Sequence, residues 1–295
     1  MMQENDKNSN KESTQGSIQD KVKNTVVRAA SSYREDQKRV FEKWIGKEQL
    51  PRAKWILENL LENSEVAEKT MGPLCDDTGI PHLFIEVGKK KALTGEMMDA
   101  IKEGVALGLR ALPGRPMAIK GDDRERLDQS GGLDEDPGAL IPAPMIVKTT
   151  EEDVIRVHVL MQGGGPEIRG RTHRIFHKHS VDVIVKEIVE WAKEEAGNLG
   201  CTPCVPSIGI GRTHFEAASL MIEAMVRGNF GVQSELEEEI TRRINESNVG
   251  PLGLKGDTTA LATFLKVGPQ RASGVRIVSL RLGCCVEPRK AWVEL

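Results

Sequence analysis

The sequence predicts an α/β protein: a helical N-terminal region packed on a mixed α/β domain. Three observations carry this. Apolar residues recur at helical spacing in Val22, Val26, Ala29 and Ala30, in Met97, Ile101, Val105 and Leu109, and in Val181, Ile184, Val185, Ile188, Val189 and Ala192. Extended or alternating runs at 82–87, 145–148, 154–161 and 275–282 read as strands. Glycine and proline clusters punctuate between the two kinds of pattern. A chain of 295 residues can bury a sizeable core.

In chain order, residues 1–18 are polar with almost nothing apolar, which predicts a mobile tail ahead of a single domain over 19–295. Helical pattern then runs from about 18 to 63, with Pro51 at the start of a later helix whose face is Trp55, Ile56, Leu60 and Leu61. Thr94 is placed to cap a helix over 94–112. Residues 113–144, rich in Gly, Pro and Asp, read as a long irregular segment containing Arg115 and Arg124. The runs 145–148 and 154–161 read as a hairpin. After the helix that begins near Val181 and ends near Gly197, the stretch CTPCVPSIGIG reads as a strand and a glycine turn at Gly209 and Gly211. A helix follows on Phe215, Ala218, Ile222 and Met225. Residues 235–245 form a charged helix with a solvated face, and the last alternating run leads into CCVEPRKA.

Composition narrows the function. A net charge of −3 leaves no basic footprint for nucleic acid, and 4% aromatics argue against a base-stacking surface. No apolar run is long enough to span a bilayer and the first residues are not signal-like, so a soluble, cytoplasmic protein without membrane partners is expected. Five cysteines in this setting read as reduced thiols rather than a disulfide framework.

Three separated loops each deliver a thiol at the edge of a regular element: Cys75, Cys201 or Cys204, and Cys284 or Cys285. None forms the compact spacing of a structural zinc site; three dispersed soft ligands suit an iron–sulfur cluster with one iron lacking a protein ligand. Asp76 and Asp77 follow Cys75 directly, either as an Asx turn or as a pair whose pKa values part so that one serves as a general acid. The triplet Gly163, Gly164 and Gly165 exposes backbone N–H groups suited to an anion, without the Lys and Ser or Thr of a P-loop. His173, His177 and His179 match no zinc motif and read as solvated or capping residues.

The segments PLCDDTG, MQGGGPEIRGR, CTPCVPSIGIGRT, GPLGLKGDTTAL and CVEPRKA, in this order, resemble those of the class I (iron–sulfur) fumarate hydratase and L-tartrate dehydratase family, in its alpha subunit. The resemblance implies an α/β domain carrying a [4Fe–4S] cluster on its loops. Its implied ligands are Cys75, Cys201 and Cys285, with Cys284 as the alternative to Cys285. It implies a hydro-lyase acting on a small hydroxy-dicarboxylic acid, with Asp77 as proton donor and Arg115 on the substrate carboxylate. Gly163, Gly164 and Gly165 would line the site. The resemblance also implies a beta subunit that supplies the general base, and so a hetero-oligomer, the chain here looking like the cluster-bearing half. Two departures stand out. Asp76 replaces the family's glutamine, removing a donor and adding charge near an anionic substrate, and Arg212 is an added cation that could compensate. Asp76 also sustains the alternative of a non-catalytic iron–sulfur sensor or scaffold.

Overall fold

The computed structural model describes residues 18–295. The expected mobile tail therefore lies almost wholly outside the described residues. Helices and two four-stranded sheets form a mixed α/β structure, as the periodicities predict. The chain divides into two compact units, both discontinuous in sequence.

The first unit takes the described residues up to Ser32, then Ala67–Met161 and Arg289–Leu295. Its sheet has the order β2-β1-β3-β8, from β1 (Ile80–Gly88), β2 (Ile146–Thr150), β3 (Ile155–Gln162) and β8 (Arg289–Glu294). β2 pairs in parallel with β1, and β8 runs antiparallel to β3. The expected hairpin of β2 and β3 is thus overturned: β1 lies between them. β1 carries the apolar run Leu83, Phe84 and Ile85, all buried, which suits an inner strand rather than an edge. Helices α1 (18–31) and α4 (Gly95–Ala111) supply the rest of the core, with Val22, Val26, Ile101, Val105 and Leu109 buried as their spacing predicts. The two helices meet closely, since a Cβ at Gly104 or Gly108 would fall 2.7 or 2.6 Å from Val22 or Val26. The Thr94 hydroxyl accepts from Met97 N–H and caps α4. The long segment 113–144 has local structure of its own: α5 (Asp123–Asp128), capped by Asp122, and a 3-10 turn at Pro137–Ala139.

The second unit takes Tyr33–Val66 and Gln162–Pro288. Its sheet has the order β4-β7-β5-β6, from β4 (Arg171–Phe176), β5 (Val205–Gly211), β6 (Phe264–Val267) and β7 (Val275–Gly283). β5 is antiparallel to β7 and parallel to β6. α7 (Val181–Leu199) and α9 (Glu235–Asn245) bury Ile188, Val189, Ala192, Ile240 and Ile244 against this sheet in one core. Two further helices are α2 (Glu35–Lys47) and α3 (Pro51–Thr70), and on α3 Ile56 and Leu57 are buried whereas Trp55 stands outside.

Gly209 and Gly211 lie within β5, not in a turn. Their reason is close packing by α8 (His214–Arg227): a Cβ on Gly209 would sit 2.0 Å from the Ala217 carbonyl oxygen and 2.3 Å from Met221 N. That phase buries Ala217, Leu220 and Met221 and leaves Phe215, expected inside, exposed. Among the described residues no helix is long and apolar enough to cross a membrane. Gly209→Ala should accordingly lower stability by about 3 kcal/mol through overpacking against backbone. Gly197→Ala, on α7 with nothing within 4 Å of the new methyl, should raise it by about 0.5–1 kcal/mol. Urea or thermal unfolding of the two variants reads both signs; equal effects would refute the packing account.

Candidate active site

In the first unit the loop between α3 and β1 carries Cys75, Asp76 and Asp77. It is tied down at both ends. Leu74 N–H donates to the Ala30 carbonyl at the end of α1 (2.9 Å), and Arg289, at the start of β8, donates from Nη1 to the Asp77 carbonyl (2.7 Å). The Arg289 side chain is buried, so its contact with the loop is well shielded from water. Asp77 Oδ1 accepts from Gly79 N–H (3.1 Å), the geometry of an Asx turn. Cys75 is half-buried, and its Sγ lies 3.5 Å from Asp76 Oδ1.

Asp76 faces a cation of its own unit. Arg115 Nη2 donates to Asp76 Oδ2 at 3.1 Å, and Arg115 N–H donates to the buried Thr78 hydroxyl at 2.7 Å. The backbone contact fixes where the arginine starts; the side-chain pair is exposed and worth about 0–1 kcal/mol. An arginine held so loosely can exchange one carboxylate for another at little cost. Arg212, by contrast, is engaged within its own helix turn, its guanidinium bonding Glu216 from Nε and Nη2 and its N–H bonding the same carboxylate.

In the second unit α7 ends at Leu199, Gly200 turns the chain with φ 75°, and Cys201 emerges exposed. The next residue anchors the segment: buried Thr202 donates its hydroxyl to the Gly250 carbonyl and accepts from Gly253 N–H, while its carbonyl accepts from Leu252 N–H. The loop 250–260 is gripped from its other side by Glu48. That buried carboxylate accepts from Asp257 N–H, Thr258 N–H and the Thr258 hydroxyl. Cys204 bridges to Ala260 and is fully enclosed. Burial pushes its thiol up to about 12, so it is neither a nucleophile nor a ready ligand near neutral pH.

Cys285 N–H donates to the Cys201 carbonyl at 2.9 Å, bringing these two cysteines side by side, and the Tyr33 hydroxyl holds the Cys285 carbonyl at 3.0 Å. Cys284 and Cys285 are both buried, and all five thiols are free of disulfides. The glycine triplet follows β3: Gly163 is buried and caps α6 (Gly164–Glu167), leaving Gly164 and Gly165 at the surface. An anion does meet the triplet, but it is internal: Gly163 N–H donates to Glu287 Oε1 at 2.6 Å. His173 packs on Trp191, and His177 bonds the Ser273 carbonyl and His179 N–H. Among the described residues no three His, Cys, Asp or Glu side chains converge as ligands of a single ion. Reading the sequence missed Arg289, Arg281 and Glu287. The available signal was one arginine inside the apolar alternation of β7 and a second charge between a cysteine pair and a proline.

The segments singled out in the sequence are thus placed unit by unit: Cys75, Asp76, Asp77 and Arg115 in the first, Cys201, Cys285 and the glycine triplet in the second. The chain belongs to the fumarate hydratase (Fumerase) family, whose profile matches residues 19–294. This is a family of hydro-lyases, enzymes that add or remove water. A Methanocaldococcus jannaschii protein, provisionally named L(+)-tartrate dehydratase subunit alpha, is 30% identical over 281 residues, covering 92% of this chain and 93% of its own length. The L(+)-tartrate dehydratase subunit alpha of Escherichia coli is 25% identical over 242 residues, covering 80% of this chain and 77% of its own.

The contrast between the two cysteines of the CTPC segment is directly measurable. Iodoacetamide at pH 8 should alkylate exposed Cys201 in the folded, metal-free protein and leave Cys204 unlabelled until denaturant is added. The sign follows from the raised pKa: the folded thiol stays protonated across the range in which an unfolded one ionises. Peptide mass spectrometry showing Cys204 labelled as fast as Cys201 would contradict the burial.

Proposed function

We propose that this chain is the alpha subunit of a two-subunit hydro-lyase that adds or removes water on a small hydroxy-dicarboxylic acid of the tartrate or malate type, with a [4Fe–4S] cluster as cofactor. The observation that carries the reading is the Cys285 N–H bond to the Cys201 carbonyl, in a chain of this family. Two cysteines held adjacent through the main chain, one exposed and one buried with its carbonyl bonded by Tyr33, suit iron and sulfide as soft donors. Cys75, in a loop fixed by Ala30 and Arg289, completes the set that the family resemblance implies. The choice of Cys285 over Cys284 is supported by the same hydrogen bond.

When bound, the cluster supplies an iron without a protein ligand, a Lewis acid toward the substrate's hydroxyl and carboxylate. The chain's own residues do the rest. Asp77, oriented by Gly79 N–H at one carboxyl oxygen and by Arg289 at its carbonyl, gives the leaving hydroxyl its proton. Arg115 takes a substrate carboxylate in place of Asp76. The surface backbone of Gly164 and Gly165 lets the substrate approach without a side chain in the way. Water elimination also needs a base at the neighbouring carbon. The relatives' designation as alpha subunits supports a beta subunit as its source.

Anaerobically prepared protein should hold about one cubane of iron and sulfide per chain. Cys75→Ser, Cys201→Ser and Cys285→Ser should empty it, whereas Cys204→Ser should not. Loss on Cys204→Ser with retention on Cys201→Ser, by iron and acid-labile sulfide assay, would show the ligand assignment to be wrong.

Asp76 sets a second expectation. In the enzyme paired with its beta subunit, Asp76→Gln removes the carboxylate that competes for Arg115. Turnover of tartrate or fumarate, measured as kcat/KM at pH 7, should rise by up to about fivefold, the equivalent of the ~1 kcal/mol an exposed ion pair is worth. An unchanged value would mean that the Asp76 charge does not weigh on the substrate.

A further inference from the structure

Arg281 has the largest fully buried side chain among the described residues, on the inner run of β7, and it meets Glu287, itself 1% exposed. Arg281 Nη1 and Nη2 both donate to the Glu287 carboxylate, and Nε donates to Glu167 Oε2 at 3.0 Å. A buried ion pair is weak grounds for a stability role, because desolvation offsets most of its attraction. Its position says more. The Gly163 N–H donates to Glu287 Oε1 at 2.6 Å, and the Gly163 carbonyl accepts from Arg281 Nη2 at 3.2 Å. One ion pair thus holds both polar groups of the first glycine of the triplet. Glu287 sits two residues after Cys285, and its N–H donates to the Cys284 carbonyl at 2.9 Å. Glu167, at the end of α6, closes the ring from the far side of the triplet.

We propose that Glu287 is a positioning residue that couples the Cys285 turn to the Gly163 segment, fixing the substrate-facing glycine backbone relative to the cysteine that would hold the cluster. This rests on the reading above, in which Cys285 is a ligand and Gly163, Gly164 and Gly165 line the substrate site. Neither Gln nor Asp reproduces the arrangement. Gln presents an amide donor to a guanidinium that can only donate, and Asp is one methylene too short to reach Gly163 N–H and Arg281 together. A displaced Gly163 leaves the cluster ligands in place and misaligns the substrate, so the defect should fall on KM more than on iron content.

The experiment uses the anaerobically prepared protein together with its beta subunit. For Glu287→Gln, iron and sulfide should stay near the parent value. Amide hydrogen exchange over 162–168 should quicken by about tenfold or more, as expected for loss of a charge-assisted anchor. KM for tartrate should rise about tenfold with kcat changed less. Should Glu287→Gln fail to fold, Glu287→Asp is read in the same way with a smaller shift in the same direction. Exchange over 162–168 unmoved in a variant that carries iron would overturn the coupling. Parent protein devoid of iron and sulfide would instead overturn the functional reading, and with it the role given to Glu287; the iron content of the parent separates the two failures.

Discussion

The antiparallel ladder between β5 and β7 is the constraint on which the rest of the second unit depends. It runs from Gly211 opposite Ile277 to Val205 opposite Gly283, and where it stops, two loops are left facing each other. One holds Cys201, the other Cys285, and a further main-chain bond joins them. The register of a ladder is hard to shift, because a slip of one residue would turn Val278, Leu280 and Leu282 out of the core. The two cysteine residues are therefore neighbours for the same reason that these side chains are buried. Glu48 and Thr202 extend the same fixity to the loop 250–260, and the Arg281–Glu287 pair extends it to the glycine triplet.

Most of the secondary structure was legible because it rests on one-dimensional period. The stripes on α1 and α4 are buried as their spacing demands, and so is that on α7 from Val185 onward, whereas Val181 in its first turn is exposed. The topology was not legible, since nothing local in 145–161 says that β1 inserts between β2 and β3. Gly209 illustrates a second limit. A glycine is read most simply as a turn, yet here it lies inside a strand because a helix backbone presses on that strand, a fact about tertiary contact alone. The choice between Cys284 and Cys285 is of the same kind. The resemblance left both open, and the bond from Cys285 N–H to the Cys201 carbonyl, which favours Cys285, is a long-range contact.

The two aspartates after Cys75 show how adjacent, chemically identical residues are separated by surroundings. Asp77 is folded into the loop, accepting from Gly79 and held through its carbonyl by a buried arginine. Asp76 points to water and leans on Arg115. The first arrangement sets a direction for the carboxyl group; the second is a weak latch that an incoming anion can open. The added Arg212, in the second unit, is bonded to Glu216 at the start of α8.

Both units are interrupted in sequence, and this bears on how the protein is made. The first sheet needs β8, residues 289–294, against β3, while the second unit combines Tyr33–Val66 with a stretch that ends at Pro288. A ribosome emitting this chain from its N-terminus cannot finish either unit early. The helices within Tyr33–Val66 must wait for strands encoded more than a hundred residues later, and the Asp77 loop waits for Arg289, 212 residues on. The Cys201 loop therefore gains its main-chain bond from Cys285 only after more than eighty further residues have been added.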